Sequence, residues 1–290
     1  MNISAQKLPS TIAVVNGAER ASCEGCSACP LINLCLPSDF NEREVRKFES
    51  IVVGRRRIAR HTSLYRQHDS FRTLYAIRFG QFKLIGGDHL GAQRVAGFHM
   101  AGDLVGLDGI AIGHHRFRLM ALENSEVCEI PFAALVRVMS AEPVIQRKLL
   151  QMMSAAFFEE HEHSRLLSTS SLDQRFASFL LNYGARFARL GYSDKSFRLS
   201  MSRGDIGSYL GTTVESVSRL IARFNAQGAV SIIGRETTLH DPDYLRAFTS
   251  GDDQALARAE SRQAAVPAGA APVAQKPAGR ESSELMLASG

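Results

Sequence analysis

The sequence predicts an α+β fold, in which an antiparallel β-roll or jelly roll is followed by a long helix and then by a compact helix-turn-helix domain. Three observations predict it. Short strands broken by glycine turns run from about residue 50 to Phe132, a heptad-spaced stripe occupies 140–168, and two capped helices flank Gly211 within 201–228. The 290 residues, 45% hydrophobic and 22% charged, suffice for about two domains with their own cores. A formal net charge of +5 is compatible with a polyanionic partner without requiring one.

The first element is the thiol-rich stretch CEGCSACPLINLC, which places Cys23, Cys26, Cys29 and Cys35 within thirteen positions of a chain with one other cysteine, Cys128. Disulfide frameworks belong to short secreted chains that cannot build a core, and this chain can build one. The apolar stretch TIAVV is too short for a signal-peptide core, and no run approaches a membrane span, so a cytoplasmic location without membrane association is expected. Clustered thiols in that compartment bind metal or respond to oxidation. Spacing alone groups Cys23, Cys26, Cys29 and Cys35 as one set of soft ligands and leaves Cys128 as a buried strand cysteine. Zinc and iron–sulfur both remain open on that reading. Zinc ribbons pair two C-x-x-C knuckles across a longer gap, whereas cysteines two apart with Pro30 beside Cys29 are closer to an iron–sulfur run.

SDFNERE, residues 38–44, predicts a helix start with Ser38 or Asp39 as the cap and Glu42 completing a capping box. TLYAIRFGQFKLIGG, residues 73–87, alternates apolar and polar positions about Gly80 and predicts a hairpin, and similar strands end at EVCEIPF. Leu150, Met153, Phe157, Glu160, Ser164 and Leu167 then follow the alternating 3,4 spacing of a two-stranded coiled coil, predicting a dimerisation helix over 140–169. The alternative is that this stripe packs on the chain's own β-domain. Glu160 would face its own copy across a two-fold axis.

Residues 170–248 predict a separate domain. Phe176, Phe179, Leu180, Tyr183 and Phe187 form an aromatic core stripe that ends at Gly191. In MSRGDIGSYLGTTVESVSRLIARFNAQG a short helix stops at Gly211, and a second starts at Thr212 or Thr213 and buries Val217, Leu220, Ile221 and Phe224. On its other side Arg219 suits guanine O6 and N7, Glu215 suits cytosine N4, and Thr213, Ser218 and Arg223 suit phosphates or bases. AVSIIGRETTLH reads as a β-wing, which strengthens a double-stranded DNA reading over a plain helical hairpin. The tail 249–290 has no aromatic residue and no isoleucine and is expected to be disordered.

From Cys23 to about His240 the motifs CSACPLINLCLP, LYAIRFGQFKL, GFHMAGDLVGLDGIAIGHH, VCEIPF and MSRGDIGSYLGTTVESVSRL resemble the oxygen-sensing FNR regulators of the cyclic-AMP receptor protein superfamily. The resemblance implies a cysteine-rich cluster-binding segment over 1–37, a β-roll like that of cyclic-nucleotide-binding domains over 38–139, and a winged helix-turn-helix over 170–248. It implies an oxygen-labile 4Fe-4S cluster on Cys26, Cys29, Cys35 and Cys128, which makes Cys23 the spare thiol. It further implies a homodimer when active, an acidic restraint on dimerisation at Glu160, palindromic TTGAT and ATCAA half-sites, and RNA polymerase as a partner. A regulator of the same fold that uses zinc or thiol oxidation is the alternative.

Cyclic-nucleotide members of the superfamily carry a Gly-Glu pair and a phosphate-binding arginine. Here the corresponding stretches are Gly102-Asp103 and His115-Arg116-Phe117, so no cyclic nucleotide is expected. His114 and His115 read as loop residues. No Ser-His-Asp set, phosphate-binding glycine loop or H-E-x-x-H motif points to an enzyme.

Overall fold

Strands from both ends of the first half of the chain interleave into two four-stranded antiparallel sheets. In the computed structural model, which describes residues 25–29, 31–35, 41–87 and 93–250, a short helix α1 (Ile32–Cys35) and helix α2 (Glu42–Glu49) precede the strands. The strands are β1 (Gly54–Ile58), β2 (Ser63–Tyr65), β3 (Thr73–Phe79), β4 (Gln81–Gly87), β5 (Gln93–Met100), β6 (Leu104–Val105), β7 (Arg118–Ala121) and β8 (Ser125–Pro131). One sheet has the order β1-β8-β3-β6 and the other β2-β7-β4-β5. Ile58, Phe82, Leu119 and Val127 pack between them, as the period-two alternation requires.

The expected hairpin at 73–87 is not one. β3 and β4 are separated only by Gly80, yet they pair in different sheets, so the chain turns a corner there. Gly80 has φ +88°, and a Cβ on it would come within 2.1 Å of the Ser125 hydroxyl oxygen, so only glycine fits this corner. The cap of α2 is Asn41, whose side chain accepts from the Glu44 backbone N–H while the Glu44 carboxylate accepts from that of Asn41. Glu42 is the first helical residue and lies too early to close the box. Ser38 and Asp39, like Cys23 and the tail beyond residue 250, lie outside the described residues.

The outer face of the first sheet is covered by helix α3 (Phe132–Ala141) and by the start of helix α4 (Pro143–Thr169). Leu74, Ala76, Ile130, Leu135, Ile145 and Leu149 form this second core. The expected helix over 140–169 is broken at Glu142, because Pro143 lacks an N–H and clashes with a preceding turn; it therefore starts a new helix. At 27 residues α4 is about 40 Å long.

Helix α5 (Leu172–Arg189) carries the buried aromatic stripe, and β9 (Ser196–Arg198) leads into α6 (Arg203–Leu210) and α7 (Val214–Ala226). Hairpin β10 (Val230–Ile233) and β11 (Glu236–Leu239) joins β9 in a three-stranded sheet, and α8 (Pro242–Ser250) packs against α5. β9 was not legible in the sequence. The two halves share a core, since Val95, Phe98, Met100 and Leu122 of the β-roll belong to the cluster that contains Phe179 and Ile206. Polar contacts reinforce it: Lys83 to Asp205 at 2.5 Å, the Val95 backbone N–H to the Ser208 hydroxyl at 2.9 Å, and Arg186 to Asp103.

Candidate thiol site and DNA-reading face

Tight backbone turns gather the N-terminal cysteines. Cys26 opens a single 3-10 turn closed by the Cys29 N–H on the Cys26 carbonyl at 3.0 Å, the Ile32 N–H reaches the Cys29 carbonyl at 3.1 Å, and Cys35 ends α1. Cys128 comes from β8, opposite Ala76 on one side and Arg55 on the other. The pleat turns it away from the inter-sheet core and toward α3 and α4, where Cys35 also packs. All four are half-buried thiols outside any disulfide.

Their electrostatics tie them together. Burial, followed by the charges of Cys29, Cys128 and Cys26, pushes the Cys35 thiol up to about 12, with Lys148 acting in the opposite direction. Among the described residues no three His, Cys, Asp or Glu side chains are arranged to hold a single metal ion. A tetrahedral zinc with Zn–S bonds of about 2.3 Å draws its sulfurs to about 3.8 Å from one another. A 4Fe-4S cluster is held by four thiolates, and four soft thiols, three from one short segment and one from β8, are the donor type such a group takes. The Arg78 side chain offers a second fit, because its buried Nε–H has no partner among the described residues and it lies on the sheet that carries Cys128.

Cys35 also lines a small apolar cavity with Ile145, Lys148, Leu149 and Met152 of α4. Farther along that helix the stripe is uncovered: Leu150 is 58% exposed, Met153 38%, Phe157 73% and Leu167 38%. The stripe thus does not pack on the β-domain of its own chain. Glu160 is exposed and borders a cavity of about 630 Å³ between the β-roll, α4 and α5.

Two of the positions that correspond to a nucleotide site, Asp103 and His115, are engaged by neighbours in the chain. Although burial opposes its ionisation, Arg186, His99 and the Met100 N–H hold the Asp103 carboxyl below the usual carboxylate range. His114 and His115 both lie outside the named strands and helices, as expected; His114 is exposed, whereas His115 is 2% exposed, stacks on Tyr65 at 3.8 Å and lies 3.3 Å from Asp108. Side chains from residues 65 and 108 enclose it, which local sequence cannot show.

In the C-terminal half, Gly211 adopts φ +67° and caps α6, while Thr213 caps α7 by accepting from the Ser216 N–H. A Cβ on Gly207 would meet the Thr212 carbonyl oxygen at 3.0 Å, so this glycine permits the close crossing of the two helices. Thr213, Glu215 and Arg219 are exposed, and the Arg219 guanidinium reaches the Ser216 hydroxyl at 3.3 Å. The backbone N–H of Glu215 and the Thr213 hydroxyl keep the Glu215 carboxyl low, so it is an acceptor. Two candidates are engaged within the chain: Ser218 donates to the Val214 carbonyl at 2.9 Å, and Arg223 pairs with Asp173. Sequence reasoning missed Val214, which is 43% exposed at the first position of α7 although apolar, and Arg203, whose guanidinium reaches Ser218 at 3.3 Å. A valine off the buried stripe of α7 was the available signal.

A β-roll joined by a long helix to a winged helix-turn-helix defines a DNA-binding regulator of transcription. The family model of the Crp-like helix-turn-helix domain matches residues 174–248, and that of the cyclic nucleotide-binding domain matches 55–142. The fumarate and nitrate reduction regulatory protein of Salmonella typhimurium is 39% identical over 223 residues, covering 77% of this chain and 89% of that protein. Its Escherichia coli counterpart is 39% identical over 220 residues, covering 76% and 88%. The structure of FixK2 from Bradyrhizobium japonicum superposes with a TM-score of 0.62 at 25% identity, covering 67% of this chain and 96% of that one. The chain belongs to the FNR group of the CRP/FNR family of transcriptional regulators. Among the described residues no helix is long and apolar enough to cross a membrane.

Proposed function

We propose that this regulator responds to oxygen through a 4Fe-4S cluster held by Cys26, Cys29, Cys35 and Cys128, and binds TTGAT/ATCAA-type palindromes as a dimer. The observation that carries the reading is the placement of the thiols: tight turns gather Cys26, Cys29 and Cys35 in one short segment, and Cys35 packs with Cys128 of a distant strand on one apolar cluster. When bound, the cluster supplies iron–thiolate bonds that join the N-terminal segment to β8 and persist only while oxygen is low. Cys35 and Cys128 rest on the same apolar cluster as Ile145 and Leu149, so displacement of the segment is felt at the start of α4. The uncovered stripe of α4 then pairs with its copy. In the DNA complex α7 enters the major groove, where Arg219 reads guanine, Glu215 reads cytosine and Val214 meets a thymine methyl. Asp103 is engaged by Arg186 and His115 by Tyr65 and Asp108, which supports a sensor that takes no cyclic nucleotide.

Purification under argon tests this. The expected product is brown, with matched iron and acid-labile sulfide, visible absorbance that air removes, and a Cys128→Ser variant that lacks all three. A colourless protein carrying zinc, or one whose Cys128→Ser variant keeps the absorbance, would refute it.

A further inference from the structure

The sheet face that carries Cys128 also carries arginines: Arg55 is its ladder partner on β1, and Arg78 is held in place from β3. Arg78 lies on β3 two residues after Ala76, the ladder partner of Cys128, and the pleat directs alternate residues to one face. The register shifts between Ile77 and Phe79, so Arg78 sits at a bulge, a feature that re-aims a side chain. One end of its guanidinium is anchored: Nη1 donates to Glu126 at 2.8 Å, and the second carboxylate oxygen of Glu126 lies 3.6 Å from Arg57 Nε. The other end is not, since its buried Nε–H has no acceptor among the described residues.

A buried charged donor left without an acceptor is costly, and arginine cannot escape the cost by losing its proton. The fold holds this donor in place, with Glu126 only 11% exposed at its side chain. Burial works to lower the Arg78 pKa, but Glu126, and after it Cys29 and Cys128, raise it on balance, so the two thiols act on this guanidinium. Across the site Lys148 of α4 acts on Cys35 in the same sense.

Resting on the cluster reading above, we propose that Arg78 is a positioning residue of the thiolate site, whose Nε–H donates to a sulfur at Cys128 or Cys29 and whose charge offsets that of the cluster. Four thiolates on a 4Fe-4S core leave a net negative charge in a half-buried place. A fixed N–H and a permanent positive charge favour that charge, and favour it more after one added electron. Glu126 fixes the far end of the fork, so the donor does not swing into water.

The test uses the full chain, loaded under argon, as wild type, Arg78→Met, Arg78→Lys and Glu126→Gln. Iron release to a ferrous chelator under argon, the one-electron reduction potential of the cluster and the melting temperature of the metal-free protein are measured for each. Arg78→Met is expected to load a cluster, release iron about 10-fold faster and show a lowered potential. Arg78→Lys keeps the charge without the fork and falls between the two, which also covers a methionine variant that fails to fold. Glu126→Gln should retain most of the potential, because the charge of Arg78 remains. If Arg78→Met and Arg78→Lys lower only the melting temperature and leave iron release and potential at wild-type values, the residue is structural and the proposal is overturned. Wild type that assembles no cluster would instead overturn the cluster reading on which the proposal rests.

Discussion

Replacing Phe157 with alanine tests whether the uncovered stripe of α4 is a subunit seam. Phe157 keeps 73% of its surface exposed, more than the other apolar seam residues, of which Leu150 keeps 58%. Fully burying a phenylalanine contributes up to about 3 kcal/mol, so covering the exposed part contributes about 2 kcal/mol per copy and about 4 kcal/mol for the symmetric pair. Phe157→Ala should therefore weaken the dissociation constant of the anaerobic, cluster-loaded dimer by about 1,000-fold. Sedimentation equilibrium under argon over a wide concentration range measures it. Phe158 is the internal control, because it is 65% exposed on the same helix but turned about 100° away. Phe158→Ala should shift the constant less than about tenfold, given its place off the seam. A Phe157→Ala dimer within tenfold of wild type, or equal losses from the two variants, would refute the seam.

Glu160→Ala should dimerise and bind the palindrome in air without a cluster, since two carboxylates about 4 Å apart at an effective dielectric constant near 20 repel by up to about 4 kcal/mol; sedimentation of the aerobic variant checks it, and a persistent monomer counts against it. Arg219→Ala should cost about 1–3 kcal/mol on the intact site and lose discrimination at its G·C pair, whereas Arg223→Ala, whose side chain is tied to Asp173, should lose less; titrations on intact and G·C-substituted DNA separate them. Arg186→Met should lower stability by about 3 kcal/mol, the low end for a buried ion pair because Asp103 keeps 28% side-chain exposure. Asp103 is held below its unfolded value, so its contribution is complete above about pH 4 and is lost as pH falls through the folded value; melting temperatures between pH 3 and 6 should show that acid loss in wild type and a flatter profile in Arg186→Met.

The helical half of this protein was legible in the sequence because its signals are local. The Gly211 cap and the Thr213 cap each satisfy backbone groups within a few residues, so they mark the end of α6 and the start of α7 without reference to the rest of the chain. The seam was legible as spacing, but whether it faces the chain's own β-roll or solvent is a matter of packing, and the structure leaves it bare. Strands were visible one at a time; their partners were not, because pairing joins residues far apart, and Gly80 turned an expected hairpin into a corner between two sheets. The thiol site divides the same way. Cys26, Cys29 and Cys35 announce themselves by spacing, whereas Cys128 enters only through family resemblance and then through its place beside Cys35 on one apolar cluster. Arg78 beside that site, Arg186 on Asp103 and His115 against Tyr65 gave no sequence signal, since each contact is decided by which sheet face or helix side the completed fold brings opposite it.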